Sequence, residues 1–183
     1  MAMLQMKITL KGVSPPVWRR FMVQDNITFH KLHEIIQEVM GWGNYHLYEF
    51  DVKKFRIGLP DEDIEDMTDS KKLRISALKM EGLKITYCYD FGDNWEHSIL
   101  VEKITEESGC CPECIAGKRA CPPEDCGGPY GYEELLEIRK NPKHPDYKHL
   151  IVDWLGRDFD PEAFDVKKVN SRIGKVKMGR FSA

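Results

Sequence analysis

The fold of this chain is decided by the stretch KITYCYDFGDNWEHSILVEKI, which occupies residues 84–104. Its two outer segments, 84–89 and 95–104, alternate apolar with polar side chains, which is typical of strands with one buried face. The residues DFGDN between them have a composition that favours a tight turn. The stretch therefore predicts a β-hairpin.

The residues that precede this hairpin predict more strands and one helix. The same alternation recurs in three segments, at residues 4–10, 17–23 and 46–52. Between the second and third of them, apolar residues at helical spacing predict an amphipathic helix that ends at Met40, with Gly41 at the C′ position. The first hundred residues therefore predict a sheet packed with a helix.

The residues that follow the hairpin have a different character. They predict two amphipathic helices, at 132–140 and 145–155, and a short one that Asp160 caps and that ends at Phe164. Because strands come first and helices follow, the sequence predicts an α+β fold, with an antiparallel sheet from the N-terminal two-thirds, a Cys-rich loop and a helical C-terminal third. We interpret residues 1–170 as one domain and 171–183 as a basic tail.

Composition and charge set limits on the environment and the partners. The 183 residues are 42% hydrophobic and 31% charged, with a net charge of −3, so no global attraction to nucleic acid is expected. No apolar run is long enough to span a membrane, and the N-terminus lacks the pattern of a signal peptide. We expect a cytoplasmic protein with no membrane partner. Acidic residues cluster at 61–69, which we interpret as a solvated loop, and only basic charges follow Asp165.

Five of the six cysteines lie in a glycine- and proline-bounded knuckle at 110–128. Cys111 and Cys114 have the spacing with which two thiolates bind one tetrahedral ion, and Cys121 and Cys126 would complete a Cys₄ set. We therefore predict a structural zinc site, closed by four thiolates. Free thiols in an ordered loop, or a redox pair like that of thioredoxin, are the alternatives.

Acidic and imidazole side chains cluster around the turn of the hairpin. Asp90, Asp93 and His97 are candidates for acid–base or metal chemistry, and His46 could reach them from the strand that precedes them. The alternative is structural, because Asp is an ordinary turn residue. On the predicted helix, His33 lies at the margin of the apolar stripe and His30 on the polar side, and we expect them to be surface or boundary residues.

Several strings in this sequence form a recognisable set, and the hairpin and knuckle strings among them are specific. The strings of the set are WRR at 18–20, LHEIIQ at 32–37, YDFGDNWEH at 89–97, GKRACPPEDCGGP at 117–129 and FDPEAF at 159–164. Together they resemble the plasmid pRiA4b ORF-3-like family over nearly the whole chain. The resemblance implies a compact α+β domain, and some members of that family have been labelled resolvase-like or are joined to DNA-binding domains. It leaves the fourth ligand of the knuckle open, with Cys110 or His97 as substitutes for Cys111.

Three functional hypotheses follow. The first is a non-enzymatic accessory or interaction module that binds a protein partner, associated with mobile DNA and carrying the metal knuckle. The second is a metal-dependent hydrolase that uses the hairpin residues Asp90, Asp93 and His97 together with His46. The third is nucleic-acid binding through the basic C-terminal tail, helped by the residues 18–20.

Overall fold

The computed structural model describes residues 2–60, 66–106, 112–156 and 158–176. One mixed sheet runs through the fold in the order β5-β4-β3-β6-β7-β1-β2-β8. Its strands are β1 (Met3–Leu10), β2 (Trp18–Gln24), β3 (Tyr48–Val52), β4 (Phe55–Gly58), β5 (Thr68–Asp69), β6 (Lys84–Tyr89), β7 (Trp95–Thr105) and β8 (Glu113–Lys118). Neighbouring strands pair antiparallel, apart from β4 and β5, which are parallel. The predicted antiparallel sheet is confirmed, with this one parallel pair at its edge.

One face of the sheet is buried and the other faces solvent. In β1 the even-numbered residues from Leu4 to Leu10 are buried, whereas Lys7 and its odd-numbered neighbours are partly exposed. The same alternation in β6 and β7 buries Tyr87 and Trp95 on the face that β1 also buries. Successive side chains in a strand point to opposite faces, so this pattern gives the sheet a single core face.

The helix α1 (Phe29–Met40) covers this core face. It begins where the Thr28 side chain accepts a hydrogen bond from the Lys31 amide, and it ends at Gly41, whose φ of 101° is in the left-handed region. The expectation that His33 is a boundary residue is wrong. His33 is buried, because its ring stacks on Tyr48 with the two centroids 3.5 Å apart.

The C-terminal third is helical, as predicted, but its last helix begins later. The helix α2 (Gly128–Lys140) is followed by a π-helix (Tyr147–Leu155) and then by α3 (Val166–Ile173). The predicted helix at 160–164 is wrong: these residues form a turn and irregular chain. The Asp165 carboxylate caps the real helix by accepting from the amides of Lys167 and Lys168. The basic segment predicted as a tail from 171 therefore starts inside α3.

The first part of the predicted Cys-rich loop is a strand. Cys114 lies in β8, which extends the sheet beyond β2, and the irregular part of the knuckle follows at 119–127. Most of the acidic stretch, residues 61–65, lies outside the described part of the chain, as do Cys110, Cys111 and the tail beyond residue 176. Among the residues that are described, no helix is long and apolar enough to cross a membrane.

Candidate functional site

One imidazole and two carboxylates meet at the end of the hairpin. His46 lies just before β3, Asp90 directly follows β6, and Asp125 comes from the loop between β8 and α2. The Nε2 atom of His46 lies 3.2 Å from Oδ1 of Asp125 and 3.6 Å from Oδ2 of Asp90. Within the described residues, only this set brings three His, Cys, Asp or Glu ligand atoms within 4.8 Å of one another. We call it the His46 triad.

The hairpin turn holds Asp90 in place. Its amide donates to the Leu47 carbonyl, and its Oδ1 accepts from the Gly92 amide at 2.9 Å. The second carboxylate oxygen, Oδ2, is thereby directed towards His46. Asp90 and Asp125 both have a φ of 57°, a left-handed conformation that aspartate tolerates better than most residues.

The loop that carries Asp125 is fastened to the hairpin. Oδ2 of Asp93 accepts from the Gly127 amide at 3.2 Å. Gly128, with a φ of 68°, fits so closely that a Cβ atom there would lie 2.3 Å from the Asp93 carbonyl oxygen. The catalytic candidate Asp93 is therefore outside the triad, and its visible contact is with the loop that positions Asp125.

A second set of bonds ties the same loop to the core. Glu124 accepts from the Tyr89 hydroxyl at 2.6 Å and from the Gly43 amide at 2.8 Å. The Trp42 indole donates to the carbonyl of Pro122 at 3.0 Å. With bonds on both sides of it, the segment 122–127 can hold Asp125 at a fixed distance from the hairpin.

The Nε2 atom of His46 is one of several shielded side-chain atoms, with Nε1 of Trp95 and Nε2 of His97, that lack a hydrogen-bond partner among the described residues. The two carboxylates of the triad nevertheless lie close to the His46 atom. The carboxylates are therefore near but not aligned to accept a proton from it. Buried polar atoms in native structures are nearly always satisfied, so an orphan of this kind calls for an explanation.

His97 lies apart from the triad, in the core. Its ring is fully buried between Trp42 and Tyr87, and its Nδ1 lies 3.3 Å from the Tyr87 carbonyl oxygen. Burial lowers the pKa of His97 to about 4, so the imidazole is neutral at pH 7. Of the four catalytic candidates, His46 and Asp90 come together, whereas Asp93 and His97 do not join them.

Sequence reasoning missed the third member of the triad. Asp125 lies next to Cys126 in the specific string 117–129, in which the spacing of the cysteines indicates a metal site formed by thiolates. The loop folds back onto the hairpin through Asp93 and Glu124, which are contacts between residues far apart in the chain. The presence of an acidic residue within that string was the one sequence feature that pointed to Asp125. No neighbouring residue indicated that it would lie close to His46.

The described cysteines of the knuckle form no disulfide bond among the residues that the structure describes. Cys114 lies buried in β8, where the Asn170 side chain pairs with both its amide and its carbonyl. Burial raises the pKa of the Cys126 thiol to about 12 and raises that of Cys121 well above its usual value. As described, Cys114, Cys121 and Cys126 do not form a three-ligand set of the closeness that the His46 triad has. Cys111 lies outside the described residues.

The predicted nucleic-acid helpers at 18–20 have structural partners. The Arg19 guanidinium is buried and donates to the carbonyl oxygens of Trp18, Val39 and Lys118. Arg20 pairs with Glu102 on the solvent face of the sheet, at 2.5 and 2.8 Å. Both guanidinium groups are therefore engaged by other groups of the chain, Arg19 in the interior and Arg20 on the solvent face.

A cavity of about 290 Å³ adjoins the triad at Asp125. The loop, α2 and the π-helix form its walls. Its polar side chains are those of Asp125, Glu134 and His149, and its apolar ones include Leu135, Leu150 and Trp154. One member of the triad, Asp125, therefore lines a cleft, whereas His46 and Asp90 are not among the described residues that line it.

Comparisons with known proteins give the family but no activity. Residues 2–168 match the plasmid pRiA4b ORF-3-like protein family. The uncharacterised protein y4hQ of Sinorhizobium fredii (strain NBRC 101917 / NGR234) is 38% identical over 177 residues, which cover 94% of this chain and 91% of that one. A crystal structure of MM3350, a protein of unknown function from Methanosarcina mazei Go1, is 42% identical with a TM-score of 0.81, over 91% of this chain and 96% of that one. With its α+β fold and its specific strings, the chain belongs to the plasmid pRiA4b ORF-3-like family.

Proposed function

We propose that this protein is a metal-dependent hydrolase whose divalent ion is bound by His46, Asp90 and Asp125. The observation that carries the proposal is the convergence of these three ligand atoms beside a cleft. A bound cation would also give the unpartnered Nε2 atom of His46 the partner that it lacks. The second sequence hypothesis thus keeps two of its residues and gains Asp125.

The spacing of the donor atoms fits one small ion. Zinc binds histidine nitrogen and carboxylate oxygen at about 2.0–2.2 Å, so neighbouring ligands of a tetrahedral site lie about 3.3–3.5 Å apart. The separations of 3.2 and 3.6 Å from His46 Nε2 are close to this value. One imidazole with two carboxylates is a mixed N/O ligand set. Such a set suits zinc or manganese better than it suits metals that prefer thiolate ligands.

Three protein ligands leave a coordination position open, which is the arrangement of catalytic sites. An ion in that state supplies a water of lowered pKa at neutral pH. Held by His46, Asp90 and Asp125, such an ion would supply the chemistry for hydrolysis of an acyl or phosphoryl bond, in which the hydroxyl group of water would go to the acyl or phosphoryl centre and its other proton to the leaving group. Next to the ligands, the exposed Tyr45 and Phe91 offer apolar surface for a substrate.

The hydrolase proposal is tested by metal-dependent turnover. Protein treated with a chelator and reloaded with zinc is assayed against p-nitrophenyl acetate, an amino acid p-nitroanilide and p-nitrophenyl phosphate. We expect at least one substrate to be hydrolysed only by the reloaded protein. In Asp125→Asn, kcat/KM should fall by about 100-fold or more, because the loss of one ligand weakens the site.

The matched control is Asp66→Asn, because Asp66 is also an exposed aspartate with a positive φ, of 59°, and is not part of the triad. Asparagine tolerates this backbone conformation, so both variants are expected to keep their local backbone structure. Turnover that survives chelation, or equal loss in the two variants, would reject the proposal.

A structural zinc site in the knuckle is a second proposal, with Cys111, Cys114, Cys121 and Cys126 as ligands. Arg19 supports it: burial lowers the pKa of its guanidinium, and ionised Cys121 and Cys114 would act in the opposite direction. A buried cation beside them would offset the charge of zinc-bound thiolates. Paired Cys114→Ser and Cys121→Ser changes should remove one zinc equivalent and lower the Tm, and elemental analysis checks this.

A purely structural metal in the knuckle would be consistent with an accessory domain that binds a protein partner. The word plasmid in the family's name suggests that this role is associated with mobile DNA. Nucleic-acid binding through the C-terminal basic residues stays a prediction. Lys168 and Lys175 are exposed at this end of the described chain. Such binding should weaken steeply as salt concentration rises.

A further inference from the structure

We infer that the cleft beside the His46 triad binds a primary amine attached to an apolar body, which makes amine-bearing esters and amides the substrate class. The inference deepens the proposed function, because the cleft reaches the triad at Asp125. It assigns a ligand chemistry to Glu134 and Trp154, for which no other role is apparent.

The charge of the cleft selects its ligand. Among its described lining residues, Asp125 and Glu134 are acidic, and none is a lysine or an arginine. A divalent ion in the triad would offset the charges of Asp90 and Asp125, and the exposed carboxylate of Glu134 would then share the cleft with one imidazole, that of His149, among the described lining residues. A cationic group is therefore favoured there, and a phosphate or carboxylate is disfavoured.

The shape of the cleft supports an apolar body of modest size. Leu135 and Leu150 line its wall, and Trp154 is 45% exposed beside them. A tryptophan face attracts both apolar groups and organic cations. The volume of about 290 Å³ is at the lower end of the range for small-molecule sites.

The π-helix explains why these residues share one side. Its hydrogen bonds run from residue i to i+5, which widens the turn and brings His149 and Trp154, five residues apart, to the same wall. Helical segments of this kind are rare and are frequently found at functional sites. The π-helix therefore forms one wall of the cleft, and the loop and α2 form the others.

Binding of benzylamine tests the inference, with benzyl alcohol and benzoate as neutral and anionic analogues of similar shape. Isothermal titration of the zinc-loaded protein should show saturable binding of benzylamine, weaker binding of the alcohol and none of benzoate. Glu134→Gln should weaken benzylamine binding about tenfold, the usual effect of losing a charge-assisted hydrogen bond. Glu137→Gln, an exposed change on the same helix, should leave it unchanged.

Equal binding of benzoate and benzylamine, or equal effects of the two glutamate changes, would overturn the inference. The titration is repeated on chelator-treated protein to separate the two proposals. Benzylamine binding by a protein that takes up no metal would uphold the amine site and reject the metal site. Metal uptake without any benzylamine binding would reject the amine site alone.

Discussion

The substitution Gly128→Ala is expected to lower the free energy of unfolding by about 3 kcal/mol or more and to abolish metal binding at the His46 triad. Gly128 has a φ of 68°, which costs a residue with a Cβ about 1–2 kcal/mol. The added Cβ would also lie 2.3 Å from the Asp93 carbonyl oxygen, which belongs to the backbone and cannot rotate away. The loop must then move off the hairpin and take Asp125 with it.

The matched control for this prediction is Gly82→Ala. Gly82 has a similar φ of 81°, but a Cβ there would meet no atom within 4 Å. The control therefore carries the backbone cost without the collision, and we expect it to lose about 1–2 kcal/mol and to keep its metal site. Urea unfolding and metal titration of both variants check this. Equal results for the two would mean that the loop is not held against Asp93.

Acid should destabilise the protein by about 4 kcal/mol between pH 7 and pH 5 through two buried histidines. Burial lowers the pKa of His33 to about 3 and that of His97 to about 4, compared with 6.5 in the unfolded chain. Below pH 6.5 these two histidines therefore bind protons in the unfolded state but not in the folded state. The stabilisation is complete above pH 6.5 and is lost progressively as the pH falls towards the folded values.

The slope of unfolding free energy against pH checks this prediction. Between pH 6.5 and pH 5 each buried neutral histidine should contribute on average about 1 kcal/mol per pH unit, and the slope should rise towards about 1.4 kcal/mol per unit at the acid end of this range. His33→Gln or His97→Gln should each remove about one such contribution, whereas His144→Gln, at a partly exposed position, should not. A chelator in all samples removes the effect of metal release. Slopes that are the same in the wild type and in all three variants would contradict the burial of these rings as neutral groups.

Local patterns predicted the elements whose side chains alternate or repeat strictly. The hairpin at 84–104, the strands β1 and β2 and the capped helix α1 all follow from such patterns. The predicted helix at 160–164 failed because a proline after a capping residue also suits a turn, and Asp165 caps α3 instead. His33 was assigned to the boundary because a helical wheel cannot show that Tyr48 and Tyr87 of the sheet enclose it.

The candidate site could be predicted only in part, for a similar reason. The composition of the hairpin turn identified Asp90 as a candidate, and the strand predicted at 46–52 put His46 close enough to contact it. Asp125 could not be added, because its position depends on bonds from Asp93 and Glu124 to residues far away in the chain. The cleft could not be predicted from the sequence either. Residues of α2 and of the π-helix line it, and the periodicity of residues 147–155 predicts an ordinary α-helix there.

The most direct test of the central claim is the number of Mn²⁺ ions that the protein binds, measured by electron paramagnetic resonance of the free ion. Manganese prefers nitrogen and oxygen donors over thiolates, so it reports on the His46 triad and not on the cysteine knuckle. We predict one bound Mn²⁺ in the wild type and in Asp66→Asn, and at least tenfold weaker binding in His46→Gln and Asp125→Asn. Wild-type protein that binds no Mn²⁺, or triad variants that bind it as tightly as the wild type, would contradict the account.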